Sequence, residues 1–130
     1  MSADGQKRRV LVVEDEALVA MLIEDMIHDS GDEMVGSACR LSDALVLAQE
    51  TQADVALLDI NLGGALAYPV ADVLRQRGVP IVFTSGYGSA GLSERFQDCP
   101  ILDKPFDQHS LEHAIHTVVK SNACSSDLAA

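Results

Sequence analysis

The chain has 130 residues, 48% of them hydrophobic, with 20 acidic against 9 basic side chains and a formal net charge of −11. That length suits a single domain able to bury roughly two-thirds of its unfolded surface, and the apolar content excludes a wholly disordered chain. The acidic balance argues against DNA or an anionic membrane as a partner, since both are engaged through Lys and Arg, and it suits cations or basic partner surfaces.

Residues 1–8 are polar and read as a disordered N-terminus. Only four apolar residues separate Lys7-Arg8-Arg9 from Glu14, too few for a signal peptide. No apolar run approaches the roughly 18 residues of a membrane span, so a cytoplasmic location is expected. Cys39, Cys99 and Cys124 lie far apart without zinc spacing, and reduced thiols are expected.

Val10–Val13 is wholly apolar and rich in β-branched residues, the pattern of a strand buried on both faces of a parallel sheet. Ala17 to Ser30 reads as a helix, with Leu18, Leu22 and Met26 at four-residue spacing, Met21 beside them and Gly31 as a stop. A weak second strand covers Met34–Ala38, and a helix runs from Ser42, a candidate N-cap, to Thr51. Val55–Leu58 is a second fully apolar run, ending at Asp59 and followed by a turn at Asn61-Leu62-Gly63-Gly64.

Tyr68 to Arg77 reads as a helix with Pro69 in its first turn, and Ile81–Thr84 as the fourth strand. Gly86, Gly88 and Gly91 each cost a helix about 1 kcal/mol relative to Ala, so at most a short helix is expected over Ser89–Phe96. Ile101-Leu102 is a short fifth strand. Asp107 to Lys120 is a final helix with Leu111, Ile115 and Val118 facing inward. The domain is expected over residues 9–120, with 121–130 a flexible tail too short to form an output domain.

Strand and helix thus alternate five times, which calls for an α/β fold with a parallel sheet covered on both faces. Right-handed crossovers leave the flavodoxin-like strand order 2-1-3-4-5 as the leading topology, with a reduced fourth helix. In such sheets, functional groups gather beyond the carboxyl ends of the strands. Those ends carry Glu14 and Asp15, Asp59, Thr84 and Ser85, and Lys104.

Three carboxylates in one cleft repel each other by about 4 kcal/mol per pair at 4 Å and an effective dielectric of 20. Lys104 offsets part of this, and carboxylate oxygens suit a hard divalent cation such as Mg2+. Asp59 can then act as a nucleophile toward a phosphoryl group, with Lys104 and a hydroxyl stabilising the transferring charge. Each feature alone has a plainer explanation: acids favour helix N-termini, and Asp commonly forms turns. It is the set, in order along one sheet edge, that points to a phosphoacceptor cleft.

These residues resemble the response-regulator receiver (CheY-like) family from about Arg9 to Lys120. The segment 10–16 resembles the family's acidic-pair motif and 57–62 its phosphoacceptor motif; Asp59, Lys104, Pro105 and Phe106 complete the set. The resemblance implies a phosphoacceptor role for Asp59. It implies Mg2+ (or Mn2+) held by Asp15, Glu14, Asp59 and the backbone carbonyl of Asn61, contact of Lys104 with the phosphoryl group, and a hydroxyl role for Ser85. It also implies a cis peptide at Lys104–Pro105. The stretch 80–88, with the turn at 61–64 and Tyr68-Pro69, resembles the FATGUY subgroup. That subgroup is associated with HWE/HisKA2-type histidine kinases and a reduced fourth helix.

Three departures stand out. Ile101 occupies the position of the usual switch aromatic, with Tyr87 a candidate substitute. Glu14 replaces the first Asp, and Gly63 stands where many receivers carry proline. On this reading the chain is a stand-alone receiver and an acceptor rather than a turnover enzyme. Its partners are a sensor histidine kinase or a phosphotransfer protein, and a dimer is open. On phosphorylation Ser85 moves in and the glycine-rich 86–98 segment reorganises. The alternative is a degenerate receiver acting as a phosphorylation-independent binding module. His109, His113 and His116 share one face of the last helix, open to two readings: a solvated face or a zinc site.

Overall fold

In a computed structural model of the chain, the structure describes residues 7–86 and 92–121. The elements in chain order are β1 (Arg9–Val13), α1 (Ala17–Asp29), β2 (Glu33–Ala38), α2 (Leu41–Glu50), β3 (Val55–Asp59), β4 (Asn61–Leu62) and β5 (Ala65–Leu66). Then come α3 (Tyr68–Gln76), β6 (Ile81–Ser85), a 3-10 turn at Glu94–Phe96, β7 (Ile101–Asp103) and α4 (Gln108–Ser121).

The main sheet is five-stranded and parallel, in the order β2-β1-β3-β6-β7. With the small β4–β5 pair set aside, this is the order 2-1-3-4-5 that the alternating pattern predicts. The three inner strands are apolar almost throughout because both their faces are covered: Val10–Val13, Val55–Leu58 and Ile81–Phe83 are all buried. α1 packs with α4 and α2 with α3, one pair against each face. From α4, Leu111, Ile115 and Val118 enter the core, as their spacing predicts.

Several local expectations change. In α1 the inward residues are Ile23 and Ile27, with Val19 and Met26 packed against the core. Leu18, Met21 and Leu22 are 75%, 61% and 58% exposed. Two apolar stripes at helical spacing run along this helix, and only tertiary packing decides which one the sheet covers. Ser42 lies inside α2 rather than capping it, and the N-cap is Arg40. Asp107 sits just before α4, where its Oδ1 accepts the Ser110 N–H at 2.8 Å, as an N-cap does.

The expected turn at 61–64 is a two-stranded antiparallel hairpin, Asn61–Leu62 against Ala65–Leu66. Gly63 and Gly64 at its tip take φ of +61° and +100°. Two successive positive φ values are what a tight hairpin turn demands, and glycine meets them without a Cβ penalty.

Between β6 and β7, the described residues form only the turn Glu94–Phe96, in keeping with the glycine count; Ser89 lies outside the described residues, as do 122–130 and 1–6. Arg8 is hydrogen-bonded at both ends of its backbone, its N–H to Asp32 Oδ1 at 3.1 Å and its carbonyl to the Glu33 N–H at 3.0 Å. The expectation of three reduced thiols fails at Cys99, which is disulfide-bonded, while Cys39 is free and exposed. Pairing depends on Cα separation in space, which sequence spacing does not reveal.

Candidate functional site

Because β1, β3, β6 and β7 are neighbours, their carboxyl ends form one edge. Asp59 closes β3 in register with Thr84, and Ser85 closes β6 in register with Asp103, directly before Lys104. Glu14 and Asp15 follow β1. The carboxylate oxygens of Glu14, Asp15 and Asp59 come within 4.8 Å of one another. Glu14 and Asp59 are buried, Asp15 is half-buried, and Lys104 reaches in from the β7–α4 loop.

Lys104 Nζ donates to Asp59 Oδ2 at 2.9 Å and lies 2.8 Å from Glu14 Oε1. The second contact is an ion pair without hydrogen-bond geometry, so among the described residues Oε1 of Glu14 is buried without a hydrogen bond. Backbone amides complete the frame. Glu16 N–H donates to Glu14 Oε2 at 3.1 Å, Asn61 N–H to Asp59 Oδ1 at 3.2 Å and Gly63 N–H to Asp15 Oδ2 at 3.0 Å.

The electrostatics follow from one cation facing three acids. Burial pushes the Glu14 carboxyl up to about 7, helped by the Asp59 charge and opposed by Lys104 and the Glu16 amide. Burial also raises Asp59 above the usual carboxylate range, against the pull of Lys104. Asp15 feels the same burial, but hydrogen bonding with Asp59, Glu14 and the Gly63 amide outweighs it and holds Asp15 below its ordinary value. Lys104 would be lowered by burial, yet the two carboxylates outweigh that and keep it charged.

A buried carboxylate oxygen without a hydrogen bond, beside two further carboxylates, fits a hard divalent cation, whose preferred ligands are oxygens. Glu14, Asp15 and Asp59 are the side chains that would hold it.

The remaining expected site residues divide. Ser85 is buried at the end of β6, and its carbonyl accepts the Lys104 N–H at 2.8 Å. Asn61 stands at the pocket rim, its N–H on Asp59 and its Oδ1 accepting the Gly64 N–H at 2.7 Å. Ile101 is a partly buried β7 residue in register with Phe83. Tyr87 lies outside the described residues. The Lys104–Pro105 peptide is cis. His109, His113 and His116 are exposed along α4, and His116 Nδ1 is 3.4 Å from an Arg8 nitrogen. Among the described residues the group of three metal-ligating side chains is the acidic one, not the histidines.

The sequence reading missed the Gly63 amide as a donor to Asp15. The available signal was the Gly63-Gly64 pair between two short segments able to pair as a hairpin.

The family model for the response regulator receiver domain matches residues 10–116. The chain belongs to that family. It resembles the solution structure of SdrG from Sphingomonas melonis, at 36% identity and a TM-score of 0.79, over 92% of this chain and 99% of that one. It is 33% identical over 116 residues to the transcriptional regulatory protein PdtaR of Mycobacterium tuberculosis, covering 86% of this chain and 57% of that protein. It is 30% identical over 110 residues to the phyllosphere-induced regulator PhyR of Methylorubrum extorquens, covering 82% and 41%. The chain thus spans about half the length of these two curated relatives.

Receiver domains are in general phosphoacceptors rather than turnover enzymes. They bind Mg2+ at an acidic pocket and work with histidine kinases or phosphotransfer proteins. Among the described residues no helix is long and apolar enough to cross a membrane.

Proposed function

We propose that this chain is a phosphorylation-controlled signalling switch that accepts a phosphoryl group on Asp59 in a reaction dependent on Mg2+ (or Mn2+). The observation that carries the reading is the pocket itself: Asp59 is hydrogen-bonded to Lys104 at 2.9 Å, with Glu14 and Asp15 in reach of the same point. A divalent cation held there by Glu14, Asp15, Asp59 and the carbonyl of Asn61 supplies neutralisation of the transferring phosphoryl oxygens.

The chain's own groups do the rest. The Asn61 amide and Lys104 hold the Asp59 carboxylate from two sides. An Asp59 oxygen forms the new P–O bond as the P–N bond to a donor phosphohistidine breaks, and the released imidazole takes a proton from solvent. Lys104 shifts from the carboxylate to a phosphoryl oxygen, and the Ser85 hydroxyl donates to another.

The donor is a sensor histidine kinase of HWE/HisKA2 type or a phosphotransfer protein, in the cytoplasm. A docking surface for it lies beside the pocket, where Leu18, Met21 and Leu22 stand out from α1. A groove of about 290 Å³ runs from Lys104, Pro105 and Phe106 to Val19, Leu22 and Met26. Exposed apolar side chains grouped in this way fit a partner helix. A phosphorylation-independent binding module has no need of a paired acceptor and lysine, and both are in place.

The test is intact-protein mass after incubation with Mg2+ and a small acyl phosphate. The expected result is one phosphoryl increment that requires the metal and vanishes in Asp59→Asn. No increment from the acyl phosphate or from a histidine kinase, with no Mg2+ binding, would return the chain to the binding-module reading.

A further inference from the structure

The stretch after β6 is held from one side. Tyr68, Asp72 and Arg75 stand four and then three residues apart on α3, which places them on a single helix face. Each grips the 93–99 segment. The Tyr68 hydroxyl accepts the Ser93 N–H at 2.7 Å. Asp72 pairs with Arg95. Arg75 donates to the Arg95 carbonyl at 2.9 Å and to Asp98 Oδ1 at 3.2 Å.

Under these contacts lies Phe96, fully buried although it belongs to a single 3-10 turn. The Tyr68 ring stacks on it with centroids 5.6 Å apart and planes within 4°. Phe83 meets it edge-on at 5.5 Å. The guanidinium carbons of Arg75 and Arg95 lie 4.6 and 4.8 Å from its centroid.

Tyr68 is also tied to the acidic pocket, by two lines. It is the first residue of α3, directly after the β4–β5 hairpin. That hairpin hangs from the pocket through the Asn61 amide on Asp59 and the Gly63 amide on Asp15, and its base is clasped by Ala67 N–H donating to the Ile60 carbonyl at 2.8 Å. The second line runs through Phe83, whose ring lies 6.4 Å from that of Tyr68. Phe83 stands two residues before Ser85 on β6, so the two side chains leave the same face of the strand.

We propose that Tyr68 is a positioning residue of the switch, coupling the state of Asp59 to the 93–99 segment. It supplies the ring and hydroxyl that Ile101, at the usual aromatic position, lacks. The proposal rests on Asp59 being the phosphoacceptor. Charge added at Asp59 acts on the carboxylates that accept the two hairpin amides. A short hairpin clasped at its base passes the displacement to its next residue. The contacts holding the segment include an Arg95–Asp72 pair whose side chains are 55% and 40% exposed. Such pairs are individually weak, so a modest bias at Tyr68 shifts the balance between held and released forms.

The test is residue-resolved amide exchange by NMR, with intact mass read on the same samples. The parent, Tyr68→Phe and Ile101→Ala are compared before and after treatment with Mg2+ and acetyl phosphate. Tyr68→Phe keeps the stacked ring and removes the hydroxyl that accepts the Ser93 N–H. In the untreated protein it should raise exchange at Ser93 roughly fivefold, the factor of one hydrogen bond, and leave the Lys104 amide unchanged. Phosphorylation should alter exchange across 93–99 in the parent and in Ile101→Ala. In Tyr68→Phe the mass increment should persist while that alteration disappears.

Unchanged Ser93 exchange in untreated Tyr68→Phe would overturn the proposal. So would a full phosphorylation-dependent change in a Tyr68→Phe protein that carries the increment. A parent that takes up no phosphoryl group would overturn the coupling together with the phosphoacceptor reading. The untreated comparison separates the two failures, since Ser93 exchange reports the Tyr68 contact whatever Asp59 does.

Discussion

Lys104 Nζ lies 2.8 Å from Glu14 Oε1, yet the hydrogen bond of that ammonium goes to Asp59. One cation therefore serves two buried carboxylates, and burial raises the proton affinity of both against its pull. At Glu14 burial outweighs the pull of Lys104 and the Glu16 amide and pushes the carboxyl up to about 7.

The sign of the resulting pH dependence is fixed by that rise. Unfolded Glu14 titrates near its ordinary value of 4.5 and the folded group at about 7. Between those limits the folded state binds the extra proton, so stability falls as pH rises through the window. The rise at Asp59 acts in the same direction. The lowered groups Asp15 and Asp54 act only in more acidic solution. The metal-free thermal midpoint is expected to drop from pH 5 to pH 8, and Mg2+ should restore it at pH 8 by occupying the ionised pocket. Glu14→Gln should flatten the slope and stabilise the metal-free protein at pH 8 by on the order of 2 kcal/mol. A midpoint that climbs over this range would refute the argument.

Lys104→Met removes the only cation facing the pocket among the described residues. Uncompensated buried carboxylates are costly, and the loss should be about 3 kcal/mol at pH 8. Near pH 5 the cost should shrink, because Glu14 and Asp59 can take up protons. Urea midpoints at the two pH values measure the difference. An equal loss at both would mean that Lys104 stabilises through its aliphatic stem, not its charge.

The topology was legible because the inner strands are short apolar runs and the helices between them carry clear stops. The cleft was legible for the same reason: Glu14, Asp59, Ser85 and Lys104 sit next to strand ends that the sequence marks sharply. What was not legible depended on tertiary choice. Leu18/Leu22/Met26 and Val19/Ile23/Ile27 are equally good stripes on paper, and the covered one is set by how α1 lies on the sheet. Ser42 looks like a cap by composition, but β2 delivers the chain into the helix earlier, at Arg40. The contacts of Tyr68 gave no local signal, since its partners Ser93 and Phe96 are more than twenty residues away.

The hairpin tip offers a graded test of backbone conformation. A Cβ on either Gly63 or Gly64 would meet nothing within 4 Å, so any penalty is conformational. Gly63, at φ +61°, sits in the left-handed well that other residues occupy at a cost of about 1 kcal/mol. Gly64, at +100°, lies outside it. Gly64→Ala should therefore destabilise more than Gly63→Ala, by roughly a further 1 kcal/mol in chemical denaturation. Both should weaken Mg2+ binding, because the Gly63 amide orients Asp15. Equal costs at the two positions would show that the hairpin relaxes when substituted.

The exposed face of α1 separates folding from recognition. Leu18 and Leu22 are 75% and 58% exposed, so replacing both with Gln, a good helix former of similar size, should change stability by under about 0.5 kcal/mol per site. Labelling of Asp59 by a small acyl phosphate needs only the pocket and should be unaffected. Transfer from a phosphorylated histidine kinase needs the docking surface as well, and should slow by roughly tenfold or more if each leucine contributes as a buried interface side chain does. Comparing the two donors on the same variant isolates the surface from the chemistry. A variant slowed equally with both would place the defect in the pocket; one slowed with neither would move the docking site away from α1.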